Sequence, residues 1–316
     1  GFTPVSVLDD IPRVYTYDGI NWNLVANTTD YLTTLPPEDL KDPMKVWYPQ
    51  NYGNKYFEKV LLRTAIEHSL NVCAVEVLEK MGPKKAVEYA RKMGIKSPLM
   101  PTLSLALGAS EVPLIEMTSA FGVLASGGIR TEPYAIVRIE DKDGRILEEN
   151  MPNESEVLSP QLCFVMTNLL KGVVQRGTGL AASWLGRPCA GKTGTTNDFS
   201  DAWFIGYTPQ LVAGVWVGYD TLLPLGEKMT GGHIACPIWT NFMREALRGE
   251  PKLNFTPPEG VVFSLIDSKT GLLALSSSPN AYLEAFIKGT EPKDYYPPEE
   301  AQGPTIITLP KDAEGF

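Results

Sequence analysis

No apolar run in the 316-residue chain approaches the roughly 18 residues that a membrane-crossing helix needs. Only two histidines are present, His68 and His233, so a histidine-rich metal site or a Ser-His-Asp triad has little raw material. His68 reads as a solvated or capping residue, and His233, after Gly231-Gly232, as part of a loop. The four cysteines (Cys73, Cys163, Cys189, Cys236) are widely spaced and form no Cys-x-x-Cys pair. They read as small buried apolar residues rather than metal ligands or a disulfide framework. Acidic residues outnumber basic ones, for a net charge of −9, and no basic stripe stands out, which argues against nucleic acid as a partner. There is no initiator Met and no signal-peptide pattern. Gly1 runs straight into Phe2-Thr3-Pro4-Val5, and the chain is expected to be a piece of a longer protein.

What is present describes a globular protein with a sizeable core: 43% hydrophobic and 21% charged residues. Residues 1–57, rich in Pro, Asn, Asp and Tyr, suggest extended and looped structure, with Trp47–Gly53 a packed aromatic loop leading into a helix. From Lys59 the pattern turns helical, with Val60, Leu61, Ala65 and Ile66 in one stripe, and it breaks at His68-Ser69. Asn71 to Met81 and Lys84 to Met93 predict two further helices, separated by Gly82-Pro83. Leu105 to Gly108 and Leu114 to Ala125 continue in the same character. Tyr134 to Ile139 alternates as a strand, turns at Asp141-Lys142-Asp143-Gly144 and returns through Arg145-Ile146-Leu147. Ser159-Pro160 opens a long helix to about Val174. Strands follow near 202–207 and 211–219, then a helix from Pro237 to Leu247. Helices, antiparallel strands and a closing helix predict an α+β domain over 1–249, with a small β-rich extension over 250–316.

One stretch concentrates chemistry: Ala190-Gly191-Lys192-Thr193-Gly194-Thr195-Thr196. Strand alternation puts Lys192 and Gly194 on one face and Thr193 and Thr195 on the other. Such a strand can hold an anionic substrate and offer backbone N–H groups to a developing oxyanion. Lys-Thr-Gly recurs at 269–271, but Asp267 and Gly271 there bracket a turn between apolar runs, so Lys269 is expected in water with no chemical role. Ser69-Leu70-Asn71 stands at a junction of two helical stretches, where its side chains either cap the next helix or enter a cleft. For Trp203, Trp216 and Tyr219, core packing is preferred to substrate stacking. Thr230-Gly231-Gly232 reads equally well as the flank of a cleft or as a plain loop.

Ser-x-Asn followed by Lys-Thr-Gly is the pairing of penicillin-binding proteins and serine β-lactamases. The chain resembles the transpeptidase domain of class A penicillin-binding proteins along most of its length. The resemblance runs through Asn51-Tyr52-Gly53, Ser69–Val75, Leu105–Val112, Gln175–Gly179, Gly191–Thr196, Asp201–Tyr207 and Pro237-Ile238-Trp239. It implies a β-lactamase/DD-transpeptidase-like fold, antiparallel sheet packed by helices with a helical subdomain. It also implies D-alanyl-D-alanine transpeptidation through a serine acyl-enzyme, with no metal or cofactor. In that reading Lys192, Thr193, Gly194 and Thr195 bind substrate: Lys192 and Thr193 hold its carboxylate, and the Thr195 N–H forms half of an oxyanion hole. Ser69 relays a proton to the leaving group and Asn71 holds the donor's amide. The implied partners are peptidoglycan stem peptides and β-lactams, together with cell-wall synthesis or outer-membrane activator proteins. The implied location is the periplasmic face of the inner membrane, where an upstream segment anchors the parent. The family's nucleophile motif, Ser-x-x-Lys, occurs nowhere in the 316 residues. The expectation is that it lies upstream and that the chain alone is inactive. A carboxypeptidase or β-lactamase is the nearest rival, though no clear Glu stands out as a deacylating base. A non-catalytic muropeptide- or partner-binding domain is the rival from outside the enzymes.

Overall fold

A computed structural model of the chain describes residues 1–296 apart from 21, 43 and 197. Val7–Asp10 (β1) pairs antiparallel with Glu58–Leu61 (β2), placing Leu8 opposite Val60. The helical pattern expected from Lys59 is therefore divided: Val60 and Leu61 belong to β2, and the helix is Leu62–His68 (α1). Pairing with β1 satisfies backbone groups that a first helical turn would leave open, and it suits β-branched Val60. The aromatic loop after Trp47 consequently leads into a strand rather than a helix. Asn71–Met81 (α2) follows α1 after a sharp corner, and Gly82 (φ +90) ends it.

Leu114–Ala125 (α3) and Pro160–Gln175 (α4) fall where the sequence puts them. Ser159 caps α4 by accepting from Leu162 N, with Pro160 in the first turn. Between them, the strand is Arg138–Glu140, pairing with Ile146–Glu149, so that of the expected Tyr134–Ile139 only Arg138 and Ile139 belong to it. Beyond Arg138 the pairing is carried on by Asn150 alone, whose N donates to Val137 O and whose Nδ2 donates to Ile136 O.

Ala190–Thr195 (β3), Ala202–Tyr207 (β4) and Val212–Val217 (β5) make a three-stranded antiparallel sheet in that order. The pleat of β4 sends Phe204 to one face and Tyr207 to the other. On the first face Phe204 meets Trp239 of Ala235–Ala246 (α5) edge-on at 5.1 Å, and Trp239 Nε1 donates to Ala213 O. Tyr207 shares a hydroxyl hydrogen bond with Thr167 of α4 on the second face, beside Leu124, Leu170 and Val173. These buried aromatics form the core, not the tryptophans singled out from sequence. Trp216 and Tyr219 are exposed and Trp203 is half-buried; the Trp216 indole reaches out to Asp201 at 2.7 Å.

Val261–Asp267 (β6) and Ala281–Ile287 (β7) form an antiparallel hairpin, and Phe263 of β6 meets Phe164 of α4 edge-on. The second Lys-Thr-Gly is a turn: Asp267 Oδ1 accepts from Lys269 N and Thr270 N, Gly271 has φ +73, and Lys269 is exposed. Residues 297–316 of the expected C-terminal extension lie outside the described residues.

Candidate active site

Helix α1 ends at Ser69 in the left-handed region (φ 55, ψ 49), an uncommon conformation for a residue with a Cβ. The chain closes this corner by donating Ser69 N to Ile66 O and Leu70 N to Ala65 O. The turn projects the hydroxyl off the helix towards β3. Neither Ser69 nor Asn71 caps α2. That position is served from outside, because Asn51 Oδ1 accepts from Val72 N at 3.2 Å. Buried Asn51 is held in turn by Asp10, whose Oδ1 accepts from its Nδ2 at 2.7 Å, and it donates to Lys55 O as well. Asn71 Nδ2 donates to Gln50 O at 2.7 Å, so the amide is oriented before any ligand arrives.

Lys192 stands on β3, and its Nζ lies 2.7 Å from Ser69 Oγ, joining residues 123 positions apart. The same ammonium donates to Thr193 O at 3.0 Å. Burial pulls the Lys192 pKa down to about 8, because desolvation penalises the charged form. The ammonium donates to Ser69 Oγ, so the hydroxyl hydrogen of Ser69 points elsewhere.

The threonines of β3 alternate with Lys192 along the strand. Thr193 Oγ1 is 2.6 Å from Thr178 Oγ1, and Thr195 Oγ1 accepts from Gly231 N at 3.0 Å. The Thr230-Gly231-Gly232 loop thus flanks the site rather than standing apart from it. Thr178 N donates to Glu67 O at 3.1 Å, so the Arg176-Gly177-Thr178 turn bridges α1 and β3. Together these contacts bring Ser69, Lys192, Thr193 and Thr195 around one region, with Asn71 held at its edge. Thr178 and Asn51 received no role from sequence, although both lie in the Gln175–Gly179 and Asn51–Gly53 segments. Their hydrogen-bonding capacity was visible there, but their partners were not.

Chemically, the arrangement offers one cation of adjustable protonation, a hydroxyl it can polarise, and two further hydroxyls. That set suits binding a carboxylate next to a group undergoing acyl transfer. Among the described residues, no cluster of three His, Cys, Asp or Glu side chains is placed to hold a metal ion. The cysteines are buried and unpaired, and burial pushes the Cys163 thiol up to about 11 and that of Cys189 up to about 12. Two cavities, of about 390 and 250 Å³, are lined by other residues, one under α3 and one between α4 and Phe255.

Comparison with known proteins identifies the family of the chain. Residues 28–244 match the family model for the penicillin-binding protein transpeptidase domain, and residues 257–297 match that for the C-terminal domain of penicillin-binding protein 1A. The chain is 43% identical over 254 residues to penicillin-binding protein 1A of Aquifex aeolicus, an alignment covering 79% of this chain and 35% of that protein. It is 32% identical to penicillin-binding protein 1A of Pseudomonas aeruginosa, covering 90% and 38%. Among solved structures, penicillin-binding protein 1A of Haemophilus influenzae superposes with a TM-score of 0.80 at 28% identity, covering 94% of this chain and 46% of that one. The PonA1 protein of Mycobacterium tuberculosis in complex with penicillin V superposes with a TM-score of 0.65 at 25% identity, covering 82% and 68%. The chain spans about a third of the length of the curated relatives it matches.

Proposed function

Because the chain belongs to the penicillin-binding protein transpeptidase family, we propose that it supplies the recognition half of a serine acyl-transfer site. The substrates on this reading are peptidoglycan stem peptides ending in D-alanyl-D-alanine, and β-lactams compete for the same groups. The observation that carries it is the 2.7 Å contact of Lys192 Nζ with Ser69 Oγ beside the Thr178–Thr193 hydroxyl pair. The terminal carboxylate takes the ammonium and the β3 hydroxyls, and the peptide lies along β3 as an added strand. When the acyl-enzyme forms, Ser69 gives its proton to the departing amine and takes one from Lys192. A lysine near pKa 8 can do this because donor and acceptor are then closely matched. A second amine then resolves the acyl-enzyme to form the cross-link.

The nucleophile itself is not among these residues, since no Ser-x-x-Lys occurs in the sequence. On this reading a further segment of the protein brings it against the Ser69 corner, and the chain alone acylates nothing. The parent acts on the periplasmic face of the bacterial inner membrane, anchored by a segment other than those described, with activator proteins among its partners. The missing motif also favours a second reading, in which the cleft binds muropeptides without catalysis.

Either way the ligand's carboxylate is decisive. Diacetyl-L-lysyl-D-alanyl-D-alanine should bind, and its C-terminal amide should not. The acid's affinity should hold steady up to about pH 8 and then fall by about tenfold per pH unit, as Lys192 loses its charge. Calorimetric titration across pH 6.5–9.5 reads this directly. Equal binding of acid and amide, or a flat profile to pH 9.5, would remove Lys192 from the ligand site.

A further inference from the structure

Glu284, in the middle of β7, is fully buried, a place a carboxylate holds only with a cation and hydrogen bonds around it. Its cation is Arg63 of α1, 221 residues away in sequence: Nη2 donates to Glu284 Oε1 at 2.6 Å and Nε to Oε2, a two-pronged contact. Arg63 is itself buried, and its Nη1 donates onward to Glu67 Oε1 at 3.1 Å. Burial pulls the Arg63 pKa down, but the hydrogen bonds that it donates to Glu284 and Glu67, with their charges, outweigh it, so the guanidinium stays charged. Glu67 also receives Arg176 through Nε and Nη2. Helix α4 and the turn after it are shaped to this residue. A Cβ on Gly172 would stand 2.0 Å from Glu67 Oε1, and one on Gly177 would stand 2.1 Å from Glu67 O.

Glu67 lies two residues before Ser69, and its carbonyl holds Thr178 N. The contacts therefore close a ring. Glu67 O meets Thr178 N, Thr178 Oγ1 meets Thr193 Oγ1, and Lys192 Nζ meets Ser69 Oγ. A shift of Glu67 moves both points at which α1 and the turn after α4 touch β3.

We propose that Glu284 is a positioning residue for the acyl-transfer site. Acting through Arg63 and Glu67, it sets where Ser69 meets Lys192 and where Thr178 meets Thr193. The C-terminal hairpin is then part of the site's scaffold, not an appendage to it. The ligand side of this inference rests on the function proposed above; the effect on Lys192 does not.

The test compares the 316-residue wild type with Glu284→Gln and Phe263→Ala. The second variant loosens the same hairpin through its contact with Phe164 but leaves the ion network alone. Three quantities are read: the affinity for diacetyl-L-lysyl-D-alanyl-D-alanine, the Lys192 titration by ¹³Cε NMR, and thermal unfolding. Glu284→Gln should weaken the peptide by about tenfold, a coupling of the size such networks carry, and move the Lys192 midpoint up towards that of a solvated lysine. Phe263→Ala should lower the unfolding temperature and leave affinity and midpoint at wild-type values. If Glu284→Gln does not fold, Glu284→Asp, which keeps the charge and shortens its reach, should show both changes in the same direction. An unchanged affinity and midpoint in the glutamate variant overturns the proposal, and so do equal changes in Phe263→Ala. Should the wild type fail to bind the peptide, the functional reading falls, and the Lys192 titration, which needs no ligand, still decides the coupling.

Discussion

Lys192→Met should bind a D-alanyl-D-alanine peptide at least roughly a hundredfold more weakly than the wild type, while unfolding no more easily. The two halves of this result have separate origins. Removing one member of a desolvated, hydrogen-bonded charge pair costs about 3 kcal/mol of binding, which is on the order of a hundredfold. Stability moves the other way. The Lys192 pKa falls to about 8 on folding, below that of an unfolded-chain lysine, so the folded state binds fewer protons between those two values. Folding stability contributed by this group therefore rises with pH across that window, and below pH 8 the buried ammonium is a burden. Methionine removes the burden and fills similar space. Isothermal titration and urea unfolding at pH 7 separate the two effects. A variant that binds normally, or one that loses binding only because it unfolds, would contradict the assignment.

Arg63→Met should destabilise the folded chain by about 3–5 kcal/mol, far more than a surface ion pair contributes. It would leave the fully buried Glu284 facing Tyr282 Oη and its own neighbour's N–H, without the one cation that pairs with it among the described residues. Burial without a cation disfavours the charged form of a carboxylate, so in this variant the folded state binds a proton more readily than the unfolded chain does. The variant's deficit should accordingly shrink as pH falls from 7 towards 5 and widen in the opposite direction. Arg63→Met/Glu284→Met removes both charges and should recover most of the loss. Urea midpoints at pH 5 and pH 7 are the readout. A deficit below about 1 kcal/mol would mean the pair behaves like an exposed one.

How far these features could be read from the sequence depended on whether the cause was local. Helix α2 was legible because Val72, Val75 and Leu78 repeat at helical period, whereas β3 was singled out by its Gly-Lys-Thr-Gly-Thr motif. The second Lys-Thr-Gly was recognisable as a turn because Asp267 and Gly271 sit beside it. Val60 and Leu61 were misread because their strand exists only through β1, some fifty residues earlier. Trp216 and Tyr219 suggest core by residue type, yet they stand near and beyond the end of β5, past the stretch where Val212 and Gly214, on the same face as Trp216, pack against α3. At the site, Ser69 and Lys192 were found by an ordered series of short motifs, not by spacing. No periodicity links positions 123 apart. Arg63 and Glu67 stand four apart on a helix, a pattern that usually marks a solvated pair. Only the fold reveals that Glu284 buries them.

The most direct measurement is covalent labelling with a fluorescent penicillin, followed by mapping of the labelled residue. No label is expected on the 316-residue chain. A longer chain that adds a Ser-x-x-Lys segment should carry label on that serine, with acylation slowed when Lys192 is replaced. A label on Ser69 of the 316-residue chain would contradict the proposed function, because Ser69 and Lys192 would then be a nucleophile and its base. An unlabelled longer chain would contradict it as well, and would leave only the reading of a binding domain.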